Sequence, residues 1–274
     1  MMPDSISMTF WGVRGSIACP GPDTARFGGN TSCVEVRCGG HTLIFDAGSG
    51  LRGLGEALAG KMDEIDLFLS HLHIDHLIGL PFFQPAFEPG RRLRLWAAGL
   101  EEAGGLRAAI GCYMSFPLFP IGLDALHANI TFNDFTRGET LTPRPGLTLR
   151  TAALDHPGGA TGYRLEFGGR AICYITDTAM SPETMPAILA LARGADCLVM
   201  DATYTDAELV QFAGWGHASW QQNVAFANAA AVKTLCLFHH APEHDDAAMD
   251  RIAQEADRAR RGTIVAHEGL SLTF

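Results

Sequence analysis

The sequence predicts an α/β protein whose β-sheets carry helices on their outer faces. Three observations lead there. Strand-like runs, rich in β-branched and aromatic residues and bounded by glycine, dominate the first half of the chain. Helical patterns lie between them and become more frequent in the second half, an order that fits helix-covered sheets better than a doubly wound βαβ series. Finally, 274 residues with 47% hydrophobic and 18% charged content suit an ordinary globular enzyme near the upper size for one core. One domain over 1–274 is expected, with no internal repeat or low-complexity linker to divide it.

Taken in order, strands are predicted at 7–13, 32–37, 42–46 and 65–70, with a helix at 51–59 before the fourth. Further strands follow at 93–97, 147–153, 162–167, 171–176, 197–201 and 234–238. A second helix is expected over 182–193, with Ser181 as N-cap and Pro182 at the first helical position. A third, over 219–232, opens with Ser219-x-x-Gln222, the spacing of a capping box. The last runs from about 245 to 260. The least regular stretch, from Pro81 to about Phe135, carries Pro81, Pro85, Pro89, Pro117 and Pro120 and many aromatics, and reads as an insertion or lid over a site.

Composition narrows the function classes. Lys and Arg number 20 against 30 Asp and Glu, a formal net charge of −10, which gives no sequence-independent pull toward nucleic acid. The densest basic runs, Arg91-Arg92-x-Arg94 and Arg258-x-Arg260-Arg261, are short and read as solvated faces. Seven cysteines, an odd number without a CxxC pair, lie partly inside apolar strands and read as buried free thiols of a reducing, cytoplasmic setting. No run is long and apolar enough to span a membrane, and no leader pattern opens the chain. The 31 glycines include the pairs Gly28-Gly29, Gly39-Gly40 and Gly158-Gly159, which suggests tight turns and close approach of backbone to a ligand.

The sharpest signal follows the apolar strand at 65–70: His71-Leu72-His73-Ile74-Asp75-His76. His71 and His73 are two apart and project to one side of an extended chain, while Asp75 and His76 fall where a short helix should turn them elsewhere. Imidazole and carboxylate donors of this kind suit Zn, Mn or Fe ions.

HLHIDH resembles the HxHxDH signature of the metallo-β-lactamase superfamily, and other motifs match in order. Asp46, ending LIFD before Ala47-Gly48, is similar to the aspartate that supports the ligand shell. His156 in LDHPGG, Asp177 in ICYITDT and His239 in LCLFHHAP resemble the remaining ligands; His239 is preferred over His240 because it directly follows a strand. The resemblance implies a four-layer αββα sandwich and two divalent metal ions, Zn first, with Mn or Fe as alternatives. His71, His73 and His156 would hold one, Asp75, His76 and His239 the other, with Asp177 bridging them; the pair would lower the pKa of a shared water, which Asp75 could also orient.

Within the superfamily the likeness is to the phosphodiesterase branch that includes tRNase Z and a cyclic phosphodiesterase. His217-Ala218-Ser219 is similar to a His-Ser-Thr motif there, and Asp201-Ala202-Thr203-Tyr204 to a Glu-Ala-Thr motif with Asp for Glu. His217 lies just before a predicted helix start, where free N–H groups favour an anion, so it can assist a leaving group while Asp201 holds its tautomer. Arg14 and Asn30, in WGVRGS and FGGNTS, are candidate substrate contacts, although Asn30 also suits a turn. The expected activity is hydrolysis of a small, nucleotide-like, cyclic or linear phosphodiester, with nucleic acid disfavoured by charge, no membrane partner, and a homodimer compatible with the branch. Hydrolysis of a lactone, thioester or β-lactam on the same site is the first alternative. A non-catalytic binding member of the fold and di-iron redox chemistry are the others.

Overall fold

A computed structural model describes residues 5–61 and 64–274; the first four residues, part of the stretch read as lacking a leader, lie outside it. In chain order the first half supplies β1 (Ile6–Gly12), β2 (Cys33–Cys38), β3 (His41–Phe45), α1 (Leu51–Leu58), β4 (Glu64–Phe68), β5 (Arg92–Ala98), α2 (Leu106–Tyr113) and β6 (Asn129–Phe135). The second half supplies β7 (Thr140–Arg144), β8 (Leu147–Leu154), β9 (Ala160–Phe167), β10 (Arg170–Ile175), α3 (Met185–Ala192) and β11 (Cys197–Asp201). It ends with α4 (Asp206–Leu209), α5 (Trp220–Ala229), β12 (Thr234–Phe238), α6 (Asp246–Ala259), β13 (Ile264–Val265) and β14 (Ser271–Thr273). Two seven-stranded mixed sheets result, ordered β14-β1-β2-β3-β4-β5-β6 and β13-β12-β11-β10-β9-β8-β7.

Alternation along the strands explains how these sheets stack. In β10, Ile172 and Tyr174 enter the core between the sheets, whereas Cys173 and Ile175 face the outer helices. β11 and β12 repeat this, with Val199 and Phe238 inward and Leu198 and Leu237 outward. The outer core of the second sheet is completed by Ile188 of α3, Ala227 of α5 and Met249 of α6. That of the first sheet gathers Ile44 and Leu67 under Leu54 of α1 and Ile110 of α2. Three separate cores therefore lie in the interfaces of four layers, the αββα sandwich expected.

Several expectations are corrected. The second helix starts at Met185, with Thr184 at the N-cap position but making no side-chain capping bond, and not at Pro182. Pro186 fits the first turn, where its missing N–H is not needed; with a start at Pro182 it would interrupt the ladder. The stretch 81–135 is less irregular than its prolines suggest, since β5 and β6 extend the first sheet in parallel and α2 packs on them. The run at Arg91 is only partly a solvated face: Arg92 is exposed beside Glu64, but Arg91 is buried and paired with Glu88, and the half-buried Arg94 reaches Asp66 at 2.7 Å. All seven cysteines are free, five of them buried. Among the described residues no helix is long and apolar enough to cross a membrane.

β3, β4 and β5 run parallel to one another, as do β10, β11 and β12, so each group sends its carboxyl ends to one edge. There Tyr163 Oη donates to the Leu69 carbonyl (2.6 Å) and the Thr161 N–H to the Ser70 carbonyl (2.9 Å), tying the sheets together. Ligand sites form outside carboxyl ends of this kind.

Candidate active site

The segment leaving β4 passes through extended His73 (φ −62°, ψ 152°) into a single 3₁₀ turn, Ile74–His76. This kink turns Asp75 and His76 away from His71 and His73, as the motif spacing anticipates. From the second sheet, β8 leads to His156, β10 to Asp177 and β12 to His239. Asp46, Asp177 and His239 lie just beyond strand ends with φ of 62°, 55° and 59°. A left-handed residue other than glycine costs about 1–2 kcal/mol, and three at one edge mark a site whose side-chain directions are imposed by its surroundings.

Donor atoms converge in two groups that share out the HLHIDH residues, His71 with His73 and His156, and Asp75 with His76, Asp177 and His239, each within 4.8 Å internally; two overlapping groups join His217 to His156 and Asp177, and to Asp201 and His239. In the first, His73 Nδ1 and His156 Nε2 stand 3.0 Å apart. In the second, His76 Nε2 is 3.2 Å from His239 Nε2 and 3.2 Å from Asp75 Oδ2. Asp177 reaches both: Oδ1 lies 3.1 Å from His239 Nε2 and 3.4 Å from His76 Nε2, and Oδ2 lies 3.6 Å from His156 and 3.8 Å from His71.

Outer contacts set which ring nitrogen of His71, His76, His156 and His239 faces inward. His156 Nδ1 donates to the Gly216 carbonyl (2.9 Å) and His76 Nδ1 to Asp46 Oδ2 (2.8 Å). His71 Nδ1 meets Ser70 Oγ (3.0 Å) and His239 Nδ1 meets Thr203 Oγ1 (3.0 Å), hydroxyls that are themselves turned onto Asp46 and Asp201. Each contact places a proton on Nδ1 and turns Nε2 toward the cluster, where the neutral ring offers a lone pair. His71 Nε2, buried, has no hydrogen-bond partner among the described residues.

Asp46 is fully buried and accepts from Ser70 N (2.7 Å), Ser70 Oγ (2.8 Å) and Tyr174 Oη (2.7 Å) besides His76. It thus supports ligands without joining them. Burial holds His71, His73 and His156 below the usual imidazole range. Burial would raise Asp75 and Asp177, but His76 and His239 outweigh it and keep both carboxylates ionised. At His76 the field of Asp177, Asp75 and Asp46 overcomes burial and favours positive charge.

Beside the cluster, His217 Nδ1 donates to the buried Asp201 Oδ2 (2.8 Å), leaving Nε2 to the cleft that His217 lines. Burial opposes protonation there, but the charge and hydrogen bond of Asp201 raise the imidazole to about 9. Ser219 N-caps α5 in a capping box with Gln222, two residues after His217. The cleft, about 340 Å³, is lined by Ser16, His73, Asp75, Asp177, His217 and His239, together with Ile74, His156, Pro157 and Trp215.

Arg14 and Asn30 are not brought into this cleft. Arg14 is fully buried and donates to the carbonyls of Gly28 (2.8 Å), Ala241 (3.0 Å) and His244 (2.6 Å). Asn30 bridges no local turn; it is held by the distant Glu268 (3.0 Å) and Ser49 (2.9 Å). His240 turns away from the cluster, with Nε2 on the Ala266 carbonyl at 2.9 Å. Sequence reasoning passed over Ser70, Thr203, Tyr174 and Ser16, whose N–H donates to Asp75 (2.8 Å). The only hint at a role was position: Thr203, Tyr174 and Ser16 stand inside the quoted motifs and Ser70 directly ahead of HLHIDH.

Comparison with known proteins agrees with this geometry. Ribonuclease Z of Haloarcula marismortui is 25% identical over 96% of this chain and 95% of its own length. The metallo-beta-lactamase fold protein YhfI from Bacillus subtilis matches with a TM-score of 0.74 at 20% identity, over 99% of this chain and 100% of that one. A diphosphatase from the PhnP family matches with a TM-score of 0.70 at 19% identity, over 98% and 97%. A family model, the beta-lactamase superfamily domain, matches residues 41–240, a span that runs from ahead of Asp46 to just past His239. The chain belongs to the beta-lactamase superfamily domain family, in its metallo-β-lactamase fold.

Proposed function

We propose that this protein is a metal-dependent phosphodiester hydrolase acting on a small, nucleotide-like substrate. The observation that carries the reading is the His217–Asp201 pair, set in the same cleft as the two donor groups. A cluster of ionised carboxylates and imidazoles, with His71, His73 and His156 held neutral by burial, suits divalent cations, and the orphaned His71 Nε2 and the facing nitrogens at 3.0 Å and 3.2 Å fit them as well. His71, His73 and His156 would hold one ion, and Asp75, His76 and His239 a second, with Asp177 shared. Zinc is the first choice, and manganese or iron suit the same donors. Such ions supply Lewis acidity toward a phosphoryl oxygen and a lowered pKa for water.

The chain's own residues do the rest. Asp75, fixed by the Ser16 N–H, orients the attacking water from the cleft floor. His217, protonated at neutral pH, gives its Nε2 proton to the leaving oxygen as the P–O bond breaks, while Asp201 holds Nδ1–H and neutralises the imidazolium.

A second reading, RNA cleavage, is favoured by relatives named ribonuclease Z. The net charge of −10 and the pairing of the Arg91 run with Glu88, Glu64 and Asp66 speak for a small substrate. The test is metal-free protein reconstituted with Zn or Mn and assayed on bis-p-nitrophenyl phosphate, cyclic nucleotides, precursor tRNA, a lactone and a thioester. Metal-dependent turnover of the small diesters is expected. Turnover confined to the lactone or thioester would overturn the reading, and preference for precursor tRNA would move the substrate to RNA.

A further inference from the structure

We infer that Trp215 is a stacking platform for an aromatic base carried next to the scissile phosphodiester, so that base-bearing diesters are selected over plain sugar or alkyl ones. The inference deepens the phosphodiesterase reading and rests on it. The polar residues of the cleft surround the donor cluster; its apolar lining is Ile74, Pro157 and Trp215. Trp215 is 60% exposed and Ile74 50%, whereas Trp220 is buried, and Trp11 and Trp96 spend their indole N–H groups on Glu35 and Asp66. A large aromatic surface left in water inside a cleft is a binding surface in search of a partner.

Trp215 is held in place and does not dangle. It lies between Gly214 (φ 87°) and Gly216 (φ 80°), and its N–H donates to the Phe212 carbonyl at 3.1 Å. Its ring meets Phe212 edge-on (5.3 Å, 66°), Phe212 stacks flat on Tyr204 (4.7 Å, 10°), and Tyr204 meets His217 edge-on (5.8 Å). The indole is thus anchored through two rings to the imidazole that serves the leaving group. On its other side the neighbouring Gly216 carbonyl orients His156. A base resting on this indole therefore sits beside both reactive elements, while Ile74, between His73 and Asp75, offers further apolar contact. Because every base has a π-face, stacking selects for the presence of a base more than for its identity.

The test compares Zn-reconstituted protein with Trp215→Ala and Trp215→Phe on thymidine 5′-(p-nitrophenyl phosphate) and methyl p-nitrophenyl phosphate, which share a leaving group and carry a nucleoside or a methyl group, the sugar being controlled by a ribose 5-phosphate arm. Trp215→Ala should lower kcat/KM on the thymidine ester about tenfold or more, chiefly through KM, change the methyl ester less than about twofold, and be largely rescued by Trp215→Phe. Thymidine 5′-monophosphate should quench wild-type tryptophan emission, ribose 5-phosphate should not, and the quench should vanish in Trp215→Phe. Equal losses on both esters, or a quench that survives Trp215→Phe, would overturn the inference. Wild-type protein inactive on both esters would instead refute the phosphodiesterase reading, and the fluorescence result would then judge Trp215 by itself.

Discussion

Replacing Asp46 by Asn tests whether the support of the ligands matters as much as the ligands. The backbone is not at issue, because Asn tolerates the left-handed φ of 62°. The change is confined to one acceptor becoming a donor. At Oδ1 the new NH₂ would confront the Ser70 N–H, at 2.7 Å, which cannot turn away. At Oδ2 it meets two hydroxyls that can rotate, Ser70 and Tyr174, and His76 Nδ1, at 2.8 Å. The amide therefore settles with nitrogen at Oδ2, and His76 relieves the conflict by moving its proton to Nε2. That nitrogen faces His239 and Asp75, so a lone pair needed for a cation is lost. Loss of such an outer partner costs about 10–100-fold in metal affinity, or roughly 1.4–2.7 kcal/mol. Competition titration with a chromophoric chelator should show one tight equivalent retained by His71, His73 and His156 and the second weakened. Urea unfolding of the metal-free variant should show a loss of about 1–3 kcal/mol from buried groups left unpaired. Two equivalents bound at wild-type affinity would refute the tautomer argument.

The remaining predictions concern the acid, the turn, the core and the metals. His217→Ala should lower kcat about 10²–10⁴-fold; Asp201→Asn removes what raises the imidazole to about 9, so the alkaline limb of kcat should move to lower pH. In metal-free protein the same shift should give stability that is full below the ordinary imidazole value of 6.5 and is lost as pH rises through about 9, a loss absent from His217→Gln in urea titrations. Gly216→Ala puts a methyl group 2.6 Å from His156 Nδ1 on a backbone with φ 80°; it should weaken metal binding and lower stability by at least about 1 kcal/mol in thermal melts. Phe238→Ala, between Phe10 and Tyr174 in the core between the sheets, should cost about 3–5 kcal/mol in urea unfolding. Chelation should abolish turnover, with Zn or Mn restoring it.

The inner strands were legible because both their faces are apolar and glycine or polar residues bound them. β11 and β12 begin and end where the sequence places them. The edges were not: β13 and β14 span two and three residues and exist only through their partners, and β7 carries Pro143, which demotes it in any local reading. At the site, the HLHIDH run is legible from its spacing, whereas the distant donors enter through the family resemblance. His239, directly after β12, joins a donor group, and His240 turns away. The supporting oxygens of Ser70, Thr203 and Tyr174 act through space, on residues up to 128 positions away, and no local pattern encodes that. Arg14 and Asn30 misled because charge and turn chemistry in a loop suit ligand contact and loop fastening equally, and here they fasten.

The donor cluster draws on both halves of the sandwich. His71, His73, Asp75 and His76 issue from the first sheet, and His156, Asp177 and His239 from the second. An ion seated among them is therefore also a rivet. Its binding free energy adds to folding by mass action, about 2.7 kcal/mol when free metal exceeds Kd a hundredfold. Catalytic competence and resistance to proteolysis then rise and fall together with metal supply.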